Sequence, residues 1–207
     1  MRYIFFLLLF VLFFSNSFAQ ISFKDESGTH PIKDEKLEKI VDKTFVTPQN
    51  NDLEFRLYTF PALTNNPSVF VMRLKNKTWE ANYFTRKIDN SWKTEKLDSK
   101  GLDDLWSSLE KNQVLTLPDQ KQLEDKMKLF KADTIAVFED WGPMKTMITD
   151  GVGYHFELMQ YSYRKRAYSY HCPSAYLQKY PNIEELYRAY AIIILVYKYL
   201  GIRLSVC

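Results

Sequence analysis

The chain has 207 residues, with 28 basic against 25 acidic side chains and a formal charge of +3 at neutral pH. So small an excess gives no whole-molecule attraction for nucleic acid or an anionic membrane, and no nucleic-acid partner is expected. The length suits one domain, and 16% aromatic residues are ample for its core.

The N-terminus predicts a removable export signal. Arg2 opens it, residues 3–14 form an uncharged apolar run, and Ser17-Phe18-Ala19 puts small residues where a signal peptidase reads. The expected cut lies between Ala19 and Gln20. The run is shorter than the ~20 apolar residues of a spanning helix. The working protein is therefore expected outside the cytoplasm, secreted or periplasmic, with no membrane span after cleavage. Loss of Arg2 lowers the charge from +3 to +2. The plan is a signal peptide over 1–19, a flexible lead-in over 20–33 and one domain over 34–207.

Within the domain, Leu37, Ile40, Val41 and Thr44 at helical spacing predict a short amphipathic helix over 34–45. Three strands follow. Residues 53–60 alternate Leu53, Phe55 and Leu57 with Glu54 and Arg56. Residues 68–74 are nearly all apolar, which places them centrally in a sheet. Asn76-Lys77 turns the chain into 78–88, where Trp79, Ala81, Tyr83 and Thr85 share a face. Spacing this close permits only antiparallel hairpins. Asp89-Asn90-Ser91 starts a further short hairpin through Trp92.

Asp98 or Ser99 is expected to cap a helix that buries Leu102, Leu105, Trp106 and Leu109. Leu115 to Asp119 then reads as an extended segment, and Leu123, Met127 and Phe130 predict a weaker helix over 120–130. Strands return at 134–138, 145–149, 154–159 and 166–171. The last element is a helix with Asn182 as N-cap and Glu185 completing a capping box. Leu186, Tyr190, Ile193, Ile194, Tyr197 and Leu200 form its expected buried face, and Gly201 ends it. Strands grouped between helices, without regular βαβ alternation, predict an α+β fold: mostly antiparallel sheet packed against helices, including a buried C-terminal one.

Leu57-Tyr58-Thr59-Phe60-Pro61 before an aromatic-rich strand pair, Leu115 to Asp119 after a Trp-bearing helix, and Asp150-Gly151 leading into Tyr154-His155-Phe156-Glu157 resemble a family of uncharacterised exported bacterial α+β proteins, a domain of unknown function. The resemblance spans residues 53–200 and implies a shared fold. It carries no catalytic residue.

Candidate chemistry is sparse. His155 and Glu157, two apart on a strand, point to one face, and His171 lies on another strand. Two imidazoles and a carboxylate are zinc-ligand types, but no HExxH or cysteine-pair spacing supports a metal. No metal and no cofactor are expected. His30 lies in the lead-in. Glu139, Asp140 and Asp150 flank turns near Trp141, an arrangement used by glycosidases and equally by ordinary turns. Asn76-Lys77-Thr78 matches a glycosylation acceptor. Cys172 and Cys207 are expected to bridge in an oxidising compartment, which is worth roughly 3–4 kcal/mol in the chain-entropy model. His171 cannot serve its neighbour Cys172 as base, because adjacent strand residues face opposite ways.

The most distinctive stretch runs from Tyr161 to Tyr170. Tyr163, Arg164, Lys165, Arg166 and Tyr168 read as a hairpin turn with cationic donors and stacking faces, suited to an acidic polymer or protein. The leading expectation is an exported, non-enzymatic binding domain for a protein or an envelope or extracellular polymer, using that turn. The alternative is a hydrolase working through His155 and Glu157.

Overall fold

The computed structural model describes residues 26–27, 35–44, 53–62, 66–128, 151–160 and 164–204, with side chains at all of these except 26–27, 35–38, 44 and 164. The expected strands at 134–138 and 145–149 lie outside the described residues.

Among the described residues seven strands form one sheet: β1 (Glu26–Ser27), β2 (Leu53–Pro61), β3 (Ser68–Lys75), β4 (Thr78–Arg86), β5 (Trp92–Lys96), β6 (Val152–Gln160) and β7 (Arg164–His171). Their spatial order is β1-β7-β6-β2-β3-β4-β5. The pairs are antiparallel apart from β1 with β7, which is parallel. The chain thus has the expected α+β architecture. Within the lead-in, Glu26 and Ser27 pair with Arg166 and Ala167.

Local chemistry explains the meander β2-β3-β4-β5. Asn76 and Lys77 both sit at positive φ, 48° and 65°. A two-residue loop with both centres left-handed matches the twist of the strands it joins, and Asn tolerates that region well. Asn90, at φ 63°, turns the next hairpin, where Asp89 Oδ1 accepts from Ser91 N–H at 2.9 Å.

Among the described residues four helices accompany the sheet: α1 (Glu35–Thr44), α2 (Leu102–Lys111), α3 (Pro173–Lys179) and α4 (Glu184–Leu200). A 3₁₀ turn, Gln120–Leu123, runs on as helix through 128. α2, α3 and α4 cover one sheet face, where Leu53, Phe55, Leu57, Phe70, Met72 and Phe156 meet Leu105, Trp106, Ile192 and Val196. The rings of Trp79 and Trp106 lie 5.2 Å apart and join β4 to α2. α1 packs on the opposite face, where Val41 joins Tyr58, Val69, Val71 and Phe84.

Three local expectations are corrected. Gly101, at φ 83°, precedes α2 without a side-chain cap, and Asp98 instead accepts from Lys100 N–H at 3.0 Å in the turn before it. Ile183 is the N-cap of α4, also without a side-chain bond, so Asn182 and Glu185 form no capping box there. The buried face of α4 is Leu186, Ala189, Ile192, Ile193, Val196 and Tyr197, while Ile194 is 41% exposed. An all-apolar stretch such as 191–196 leaves periodicity little to discriminate, and neighbouring α2 and α3 set the rotation. Gly201 ends the helix at φ 67°, as expected.

Candidate functional site

β2 has buried side chains on both faces over Leu53 to Thr59. Its charged residues therefore face a covered surface, and they meet partners from β3, β6 and β7. Register places Tyr58 opposite His155, and His155 opposite Ser169. The next row sets Arg56 beside Glu157, and the one beyond pairs Glu54 with Arg73.

These side chains form a continuous polar network. Arg56 Nε donates to Glu54 Oε1 at 2.5 Å, Nη2 donates to Asp42 Oδ1 of α1 at 2.8 Å, and Nη1 donates to the Tyr58 hydroxyl at 3.2 Å. Tyr58 Oη donates to Glu157 Oε2 at 3.4 Å. Glu157 Oε1 lies 2.7 Å from Lys165 Nζ and 3.5 Å from His155 Nε2. His155 Nδ1 is 2.8 Å from Ser169 Oγ. His155 is 3% and Glu157 1% exposed.

The two buried carboxylates differ. Burial raises Glu54 above its ordinary value, against the pull of Arg56 and Arg73. Burial also acts to raise Glu157, but bonds to His155 and Lys165 and the charge of Arg56 outweigh it. They hold that carboxyl well below the usual range.

Next to the network lies a cleft of about 600 Å³ at the end of β2, β6 and β7. Phe60, Met127, Tyr170 and Tyr176 supply apolar walls, Lys121 and Glu124 charge, and Ser169 joins the cleft to the network. Gly153 on β6 also lines it; a Cβ built there meets Phe60 at an ordinary 3.8 Å. His155 and Glu157 do not line the cleft, and reach it through Ser169.

The wall opposite β7 is held by side chains of residues 119 and 120. Asp119 Oδ1 accepts from Lys121 N–H and Oδ2 from Ser169 N–H, both at 3.0 Å, while Gln120 Oε1 accepts from His171 N–H at 2.6 Å. Asp119 and Gln122 complete a capping box on the 3₁₀ turn. Asp119, Gln120 and Ser169 were not singled out from the sequence. The spacing of Asp119 to Gln122 after Pro118 was the available signal for the first.

Part of the basic tyrosine stretch, expected as a contact turn, lies inside a strand. β7 already begins at Arg164, so strand alternation divides the side chains between two faces. Arg166, 6% exposed, turns to the helical face and donates from Nη2 to Leu117 O at 2.8 Å. Tyr168, fully packed, donates to Val114 O, and Tyr170 donates to Pro118 O, both at 2.8 Å. Lys165 goes to the other face and pairs with Glu157. The stretch thus stitches residues 114–118 to the sheet. Tyr163 and the side chain of Arg164 lie outside the described residues, as do His30, Glu139, Asp140, Asp150 and Cys207.

Cys172 is fully buried, and its Sγ accepts from Val152 N–H at 3.3 Å. The expected bridge has its other end, Cys207, outside the described residues. Asn76, Lys77 and Thr78 are exposed at their turn. Among the described residues no three His, Cys, Asp or Glu side chains gather to hold a metal ion, and no helix is long and apolar enough to cross a membrane.

No family model, curated protein or solved structure matches the chain.

Proposed function

We propose that the protein is an exported binding domain, belonging with the exported bacterial proteins it resembles, and that its ligand seat is the cleft at the end of β2, β6 and β7. The observation that carries this reading is the cleft itself: about 600 Å³, apolar-walled, with Gly153 in a strand beside Phe60. Small-ligand sites span roughly 300–1,000 Å³ and combine such walls with a few fixed polar groups. A glycine inside a strand leaves space where a ligand approaches closely. The leader over 1–19 supports export, and in an oxidising compartment Cys172 and Cys207 form the bridge.

Nile red, a neutral dye, tests the seat. The wild-type protein should bind it with one saturable site, and Gly153→Leu, which projects a side chain into the cleft without crowding the backbone, should weaken binding at least about tenfold (~1.4 kcal/mol). Equal binding by both proteins, with both folded, refutes the cleft as the seat. Export is tested separately by the first residue of protein recovered from the exported fraction, which should be Gln20.

A further inference from the structure

We propose that Ser169 is a nucleophile activated by His155, with Glu157 as positioning residue, and that the cleft accepts carboxylic esters carrying an apolar acyl or alkoxy group. This deepens the preceding reading and rests on the cleft being a ligand seat. Three observations lead to it. First, the order Ser169 Oγ, His155, Glu157 is that of a nucleophile, a base and an acid orienting the base: 2.8 Å to Nδ1 on one side of the ring and 3.5 Å from Nε2 on the other. Nδ1 accepting from the serine hydroxyl leaves the ring proton on Nε2, the nitrogen 3.5 Å from Glu157 Oε1. Second, Ser169 is the member of the set that lines the cleft, while His155 and Glu157 stay behind it.

Third, the set is held rigid. The Ser169 amide points away from β6 to Asp119. His155 and Ser169 are thus a non-hydrogen-bonded cross-strand pair, the kind whose side chains lie closest. Tyr58 packs on the imidazole with ring centroids 5.9 Å apart. Lys165 and Tyr58 hold the Glu157 oxygens, and that carboxyl stays ionised under the influences described above, so it can stabilise an imidazolium as it forms. Gln120 lines the same cleft. With Oε1 committed to His171 N–H, its amide NH₂ is available to donate to a developing oxyanion.

The chemistry closes without any co-reactant except water. Ser169 Oγ bonds to the ester carbonyl carbon as its proton passes to His155 Nδ1. The tetrahedral centre collapses, the proton moves from Nδ1 to the leaving alkoxide, and the alcohol departs. Water then attacks the acyl carbon, giving its proton to Nδ1. The Oγ–acyl bond breaks, the proton returns to Oγ, and a carboxylic acid is released.

The experiment treats folded wild-type protein with an alkyl fluorophosphonate, which phosphonylates an activated serine with loss of fluoride. Peptide mass spectrometry should place the label on Ser169. Ser169→Ala should abolish it, and His155→Gln should slow labelling at least about 100-fold. Glu157→Gln should be slower than Glu157→Asp, because the shorter acid keeps the charge; equal rates remove Glu157 from the set. Urea midpoints of the variants separate chemistry from unfolding, and the wild-type result needs no variant at all. Absence of label on native wild-type protein, or undiminished label in Ser169→Ala, overturns the proposal. Nile red bound while Ser169 stays unlabelled sinks the hydrolase alone. Label on Ser169 with no effect of Gly153→Leu on dye binding supports the nucleophile and refutes the dye-accessible seat.

Discussion

Replacing Arg56 by Leu removes a guanidinium that reaches both buried carboxylates. Its Nε lies 2.5 Å from Glu54 and its Nη1 3.8 Å from Glu157. After the change Glu54, which is fully buried, keeps Arg73, whose Nε is 3.9 Å away. Stripping one partner from a buried ion pair costs about 3–5 kcal/mol, a large share of the ~5–15 kcal/mol that holds a typical domain. Burial already raises Glu54 above 4.5 in the native protein, and without Arg56 it rises further. A carboxyl whose folded value exceeds its unfolded one binds more protons when folded, so its penalty is small in acid and grows as pH rises through that window.

Arg56→Leu should therefore lose about 3–5 kcal/mol at pH 7 and distinctly less at pH 5. The double variant Glu54→Leu/Arg56→Leu should recover part of that loss, because no uncompensated charge remains at position 54. Urea denaturation followed by far-ultraviolet circular dichroism at both pH values measures all of these. A single-variant cost below about 1 kcal/mol, the level of an exposed pair, would refute the reasoning. So would a double variant as unstable as the two singles summed.

Glu157 has the opposite sign. Its folded value is depressed below 4.5, so its contribution is complete above that pH and is lost as pH falls further; Glu157→Gln should flatten the acid limb of the stability profile. Asp119→Ala deletes acceptors for Lys121 N–H and Ser169 N–H, and should cost about 1–3 kcal/mol in urea denaturation while speeding amide exchange at Ser169. Asn182→Ala should change stability by less than about 0.5 kcal/mol, because Asn182 does not cap α4; a loss near 1 kcal/mol, typical of a lost cap, would restore it to that role.

The sequence by itself determined the parts that neighbouring residues settle among themselves. Leu53, Phe55 and Leu57 alternate with polar residues at the period of a strand. Asn76-Lys77 makes a two-residue turn that fixes β3 against β4, and Leu102, Leu105, Trp106 and Leu109 mark the buried stripe of α2. Only the tertiary structure decided what lies on the other side of those patterns. Alternation marks Glu54, Arg56, His155 and Glu157 as one polar face but cannot say whether water or protein covers it; here the covered face joins four strands into a charge network. The basic tyrosine stretch has the composition of an exposed tip, yet its strand begins as early as Arg164, and the register of β6 with β7 sends Arg166 and Tyr168 inward. Ser169 and His155 are 14 residues apart and ordinary in composition. Cross-strand pairing alone brings them together beside the cleft, because register depends on the whole sheet and not on any local run of residues.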